Sequence, residues 1–308
     1  MPEAAGVTVA HDEPIREVLT PPPAKSLILP STAPPLTVVE PRGGFRFADL
    51  GELWRYRELA YFLVLREMKL RYKQTILGVG WSLFQPVATA LVFIVFIGWM
   101  GKTAEGVPNY VLHVLLGVLP WTYFASALNN AGNSLVANER LVTKVYFPRL
   151  LLPLSNVGSA TIDFAIALVL VAAVMLYTGV APSWTIVFAP LAILLLAMLA
   201  TGLGVMLSAL IVAQRDFRYL LNFGVQLWMF ATPCIYLGRH AVGPRGEQVL
   251  TLNPMYGIIL TFRNLVLGYP MDAHSWQALG MASLTTVTLL LAGLVYFRRV
   301  ERTFADTI

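Results

Sequence analysis

The sequence predicts an all-α integral membrane protein: six transmembrane helices, an amphipathic interfacial helix ahead of the first, and short re-entrant helices between the fifth and sixth. Three observations lead there. Hydrophobic residues make up 57% of the 308-residue chain and charged residues 13%, with a mean hydropathy of +0.67, well outside the range of a soluble globular domain. Residues 74–101 form a charge-free window of 28 positions, longer than the roughly 20 apolar residues that cross about 30 Å of hydrocarbon. The cations also alternate between loops: beyond the first 44 residues, fifteen Lys and Arg fall on one side of the predicted spans and four (Lys102, Arg239, Arg245, Arg263) on the other. Cytoplasmic loops retain positive charge, so both termini are expected in the cytoplasm.

In chain order, residues 1–44 hold nine prolines and little apolar periodicity, which predicts a disordered cytoplasmic tail. The first apolar run starts after about 75 residues, too late and too long for a cleavable signal peptide, so the first span itself is expected to direct insertion. Residues 45–73 place Leu50, Leu53, Trp54, Tyr61, Phe62, Leu65 and Met68 at helical spacing among charges, predicting a helix that lies on the inner surface. A transmembrane domain then fills 74–300, with spans at about 76–100, 110–136, 150–180, 183–213, 219–237 and 276–297, leaving 301–308 as a cytoplasmic C-terminus. The apolar but interrupted 249–270 stretch breaks into pieces too short to span and is read as two helices dipping into the outer leaflet, where irregular backbone must line protein or a wet cavity. The single cysteine, Cys234, excludes an internal disulfide. The net charge of +5 reflects the inner-leaflet bias and gives no sign of nucleic-acid binding.

Chemistry at this level is mostly negative. Gly101-Lys102-Thr103 resembles the end of a phosphate-binding loop, but Phe96 stands where the pattern needs glycine, and the segment follows a membrane span. Four scattered histidines and one cysteine form no metal pattern, and no nucleophile motif is present. No cofactor is expected on this chain, and any fuel for uphill movement must be consumed elsewhere.

Three features remain. LREMKLRYKQTILGVGWSLFQPV (65–87) sets Arg66, Lys69, Arg71 and Lys73 at headgroup depth just before the charge stops. They fit either a plain anchor on anionic lipid or a receiving site for the diphosphate of a lipid-linked substrate. Asp163 lies about 13 residues into the third span, near mid-membrane. It is read either as a hydrogen-bonded or protonated structural group or as a functional one. The charged segment 138–148, closed by Pro148, fits an ordinary basic loop or a projection that receives force from a separate motor.

Together, RYKQTILGVGWSLFQPV (71–87), ERLVTKVYFPRLLLPLS (139–155), DFAIALVL (163–170), QRDFRYLLNFGVQLWMFATPCIYL (214–237) and LNPMYGIILTFR (252–263) resemble, in order, the membrane subunit of ABC-2-type polysaccharide exporters, the group of O-antigen, lipid-linked galactan and teichoic-acid permeases. The resemblance implies six spans per chain and a homodimer with the translocation path at its interface. It also implies two cytoplasmic ABC ATPase subunits that bind ATP and Mg, and a polyprenyl-diphosphate-linked polysaccharide as cargo. It assigns ATPase coupling to Glu139, Arg140, Lys144 and Tyr146, with Arg215, Asp216 and Arg218 as a second patch. The interrupted segment before the last span matches the family's exit-side helices.

Sugar C–H faces stack on aromatic rings, so Trp81, Phe84, Trp121, Tyr123, Phe124, Trp228, Tyr236 and Tyr256 are candidate channel-lining residues; an interfacial aromatic belt is the alternative. Another ABC-2 cargo such as teichoic acid, capsule, drug, haem or lipid is the runner-up. A membrane-embedded transferase would need surface acidic or His clusters that this sequence lacks, and a secondary transporter would show an internal repeat or several buried charges.

Overall fold

The computed structural model describes residues 51–99, 109–234, 246–301 and 304, apart from 52, 74, 77 and 79. The proline-rich N-terminal residues, Tyr236 and the Gly101-Lys102-Thr103 sequence lie outside them. Among the described residues all regular structure is helical. The elements are α1 (Arg57–Tyr72), α2 (Gly80–Trp99), α3 (Tyr110–Ala137), α4 (Glu139–Lys144), α5 (Leu151–Thr178), a 3-10 turn (Trp184–Phe188) leading into α6 (Ala189–Ala213), α7 (Phe217–Ala231), α8 (Pro254–Leu267) and α9 (Ala273–Val300).

Four of these are long and apolar enough to cross a membrane: α3, α5, α6 with its leading turn, and α9. They coincide within a few residues with the second, third, fourth and sixth predicted spans. The first predicted span appears as α2, 20 residues with Pro86 inside. The fifth appears as α7, whose 15 residues rise only about 22 Å, because Thr232 turns to extended backbone just before Pro233. α8, at 14 residues, is too short to cross. Its start is set locally: Asn253 caps the Met255 amide at 3.1 Å and Pro254 occupies the first helical position. Asn253 also accepts from Trp228 Nε1 at 3.0 Å and donates to Thr232 Oγ1 at 2.9 Å, fastening the start of α8 to the end of α7.

α3 is the central helix, packed against α2, α5, α6, α7 and α8. Small residues set the close approaches, as expected where helices meet in an apolar solvent. α6 and α9 cross at Gly202 and Gly293; a Cβ on Gly202 would lie 2.6 Å from the Leu290 Cα. α1 docks on the small-residue run SNVGSA (155–160) of α5, where a Cβ on Gly158 would stand 3.0 Å from Val64.

The interior divides into a large cluster along the long helices and a smaller one at the cation-rich end. There Leu63 of α1, Val142 of α4, Leu150 and Leu151 at the start of α5, and Phe297 and Phe304 pack together. Each such side chain contributes roughly 1.5–3 kcal/mol when fully buried, so α1 and α4 are integral parts of the bundle.

Candidate functional site

Where the C-terminal end of α1 meets α2, α3 and α5, the helices leave a cavity of about 470 Å³. Arg71 and Tyr72 reach it because α1 lies along α5. The Arg71 guanidinium and the Tyr72 hydroxyl both donate to the Asp163 carboxylate, one to each oxygen, and Arg71 also reaches Ser159 Oγ at 3.4 Å. Burial, and next the hydrogen bond to Asp163, push the Tyr72 hydroxyl up to about 12, so it remains a donor throughout the physiological range. The intramembrane acid therefore has a charged partner 92 positions away in sequence, and the pair carries no net charge.

The rest of the wall is hydroxyl, amide and aromatic. Thr75, Ser82, Gln85, Thr122, Ser126 and Asn130 supply polar groups, and Trp81, Tyr123 and Phe164 supply rings. Tyr123 and Phe164 pack at 5.2 Å, and the Tyr123 hydroxyl shares a hydrogen bond of 3.0 Å with Thr161. Trp81, 47% exposed, meets Phe84 edge-on at 5.4 Å. The polar half of this wall was missed by the sequence reading. Its signal was the run ASALNNAGNS (125–134) inside an apolar span, where unpaired amides are costly unless they bond locally or face a wet space. Asn129 and Asn133 bond back to carbonyls one turn earlier, while Asn130 bonds Ser126 Oγ at 3.1 Å.

The other expected site residues scatter. Trp121, Phe124 and Trp228 form one aromatic cluster with centroids 5.2–6.5 Å apart, in which Trp121 and Phe124 are buried. Tyr256 is buried, its hydroxyl 3.1 Å from His274 Nε2, and that nitrogen is also 3.1 Å from Glu247. The four basic residues Arg66, Lys69, Arg71 and Lys73 divide in two. Arg71 belongs to Asp163, and Arg66 donates to Asn138 Oδ1 at 2.8 Å. Lys69 and Lys73 are exposed and pair with no carboxylate among the described residues.

At the cation-rich end, Val142 is buried while Glu139, Arg140 and Lys144 are exposed and Tyr146 is 83% exposed. Arg215, Asp216 and Arg218 are exposed at the start of α7, which packs Leu221 against Gly132 near the end of α3.

The sequence assigns Arg263 to the loop cations, but the structure buries it. It donates to the His113 carbonyl at 3.2 Å, the Pro233 carbonyl at 3.3 Å and the Cys234 carbonyl, tying α8 to α3 and to the end of α7. Gly117 makes room for this contact.

A second cavity of about 500 Å³ lies between the 3-10 turn, α6, α8 and α9, but its walls are almost wholly apolar. Thr185 and Ser283 there bond backbone carbonyls, which leaves one unpartnered hydroxyl, on Thr261. Of these two cavities, the first is the one that suits a ligand with many hydroxyls.

Residues 58–267 match the family model for ABC-2 type transporters. The chain is 29% identical over 259 residues to the O-antigen export system permease protein RfbA of Myxococcus xanthus, covering 83% of this chain and 98% of that one. It is 26% identical over 261 residues to the RfbA permease of Klebsiella pneumoniae, covering 84% and 97%. To the polysialic acid transport protein KpsM of Escherichia coli it is 24% identical over 246 residues, covering 78% and 92%.

Proposed function

Because this chain belongs to the ABC-2 type transporter family, we propose that it is the permease subunit of a polysaccharide exporter, moving a polyprenyl-diphosphate-linked glycan out across the cytoplasmic membrane. The observation that carries the cargo assignment is the nearly end-to-end similarity to O-antigen export permeases. The hydroxyl-, amide- and ring-lined cavity supports it, because weak stacking and exchangeable hydrogen bonds let a polymer slide. In this reading two copies pair, two ABC ATPase subunits dock on the Glu139–Lys144 and Arg215–Arg218 patches, and ATP with Mg is bound by those subunits. The exposed Lys69 and Lys73 then remain free to meet the substrate diphosphate.

The test is ATP-driven export by vesicles holding this chain and its ATPase subunit, loaded with lipid-linked glycan. Wild type is expected to move glycan only with hydrolysable ATP. Arg140→Glu with Lys144→Glu together should lose export or ATPase co-purification, since a single rim charge is worth only about 1 kcal/mol. Normal export by that double variant removes α4 from the interface, and ATP-independent or absent glycan movement by wild type refutes the function.

The same reading has six crossings with both ends cytoplasmic, α2 and α7 joining the four longer helices. Single cysteines at Thr103 and Ser183, in a Cys234→Ala background, are expected to react with an impermeant thiol reagent from outside, whereas cysteines at Thr143 and Thr303 should be protected. The reverse labelling would overturn the topology.

A further inference from the structure

Resting on the glycan-export reading, we propose that the cavity beside Arg71 and Asp163 binds an uncharged sugar segment and discriminates against acidic sugars, so that the cargo is a neutral polymer.

Charge and burial decide what the cavity accepts. Arg71 and Asp163 are the only formally charged side chains lining the cavity among the described residues, and they neutralise each other. Both Asp163 oxygens already accept, one from Arg71 and one from Tyr72. A sugar carboxylate entering here would compete with Asp163 for Arg71. Either acid that lost the contest would be left unpaired next to a like charge, in a place where an unpaired charge is expensive.

A neutral sugar meets no such conflict. The Gln85 amide and the Asn130 carbonyl oxygen make no side-chain hydrogen bond among the described residues, so hydroxyls have both donors and acceptors to meet. Trp81, 47% exposed, offers a face for the C–H side of a ring. The volume of about 470 Å³ falls within the roughly 300–1,000 Å³ typical of small-molecule sites, room for a short segment of a chain.

The experiment is a titration of the purified full chain in lipid nanodiscs with mannotetraose and, separately, with the α-2,8-linked tetramer of sialic acid. Tryptophan fluorescence is followed, and Trp81→Phe assigns the signal to the cavity. Mannotetraose is expected to give a saturable change that Trp81→Phe abolishes, and the acidic tetramer to bind at least tenfold more weakly at equal ionic strength. Gln85→Lys adds a positive charge at an exposed position without touching the ion pair, and should bring the two affinities to within threefold or reverse them. Gln85→Glu should widen the gap. Equal wild-type affinities, no binding of either probe, a signal that survives Trp81→Phe, or a preference that neither Gln85 variant moves would each overturn the proposal. Export in the vesicle assay separates the two readings: glycan export that persists without a charge preference removes only this inference, and absent export removes the transport function.

Discussion

Asp163→Ala is expected to destabilise the protein by about 3 kcal/mol, because it strands the Arg71 guanidinium in a part-buried site after removing the carboxylate that Tyr72 also serves. The side chains of Arg71 and Asp163 are 29% and 16% exposed, so solvent screens the pair only weakly. The measurement is thermal unfolding in detergent, where Tm should fall by several degrees. Pairing Arg71→Gln with Asp163→Asn should cost less than the two single changes summed, since the double variant leaves no unpaired charge behind. A Tm unchanged by Asp163→Ala would show that the pair does not hold α1 against α5.

Gly117→Ala should be as damaging, by about 3 kcal/mol, although it adds one methyl group. A Cβ at that position would run into the Cys234 carbonyl and the Arg263 guanidinium, and overpacking against backbone cannot relax by a rotamer change. Displacing Arg263 also strands the Pro233 and Cys234 carbonyls it serves, each costing roughly 1–3 kcal/mol when buried and unsatisfied. Gly224→Ala and Gly280→Ala are the controls: a Cβ meets nothing within 4 Å at either glycine, so both should be neutral or gain roughly 0.5–1 kcal/mol from helix propensity. Equal Tm values for Gly117→Ala and Gly224→Ala would refute the packing argument.

The long helices were legible in the sequence because membrane depth imposes a length, and α3, α5, α6 and α9 follow it within a few residues. The start of α8 was also encoded locally, in Asn253-Pro254. What escaped were contacts between distant positions. The sequence set Arg66, Lys69, Arg71 and Lys73 together at headgroup depth, with Arg66 or Arg71 favoured for a substrate diphosphate, yet these two turn inward to Asn138 and Asp163 while Lys69 and Lys73 stay outside. Spacing along one helix cannot state which neighbour each face meets. The burial of Arg263 escaped for the same reason: a cation count gives only its side of the membrane, whereas three carbonyls from two other segments absorb this one. Aromatic rings were ambiguous too, since Trp81 at a cavity mouth and Trp121 in a packed interior carry the same residue code.

The hydrogen bond from Arg66 to Asn138 has a mechanical meaning. Arg66 and Arg71 are five residues apart on one uninterrupted helix, a separation of about 7.5 Å along its axis, with neither glycine nor proline between them. Asn138 is the residue on which the Glu139–Lys144 helix starts, and Asp163 stands in the cavity wall. α1 is thus a stiff crank with two pins, one at the surface segment and one inside the bundle. A displacement of Asn138 is therefore linked to the carboxylate by two arginine side chains and less than a turn and a half of rigid backbone.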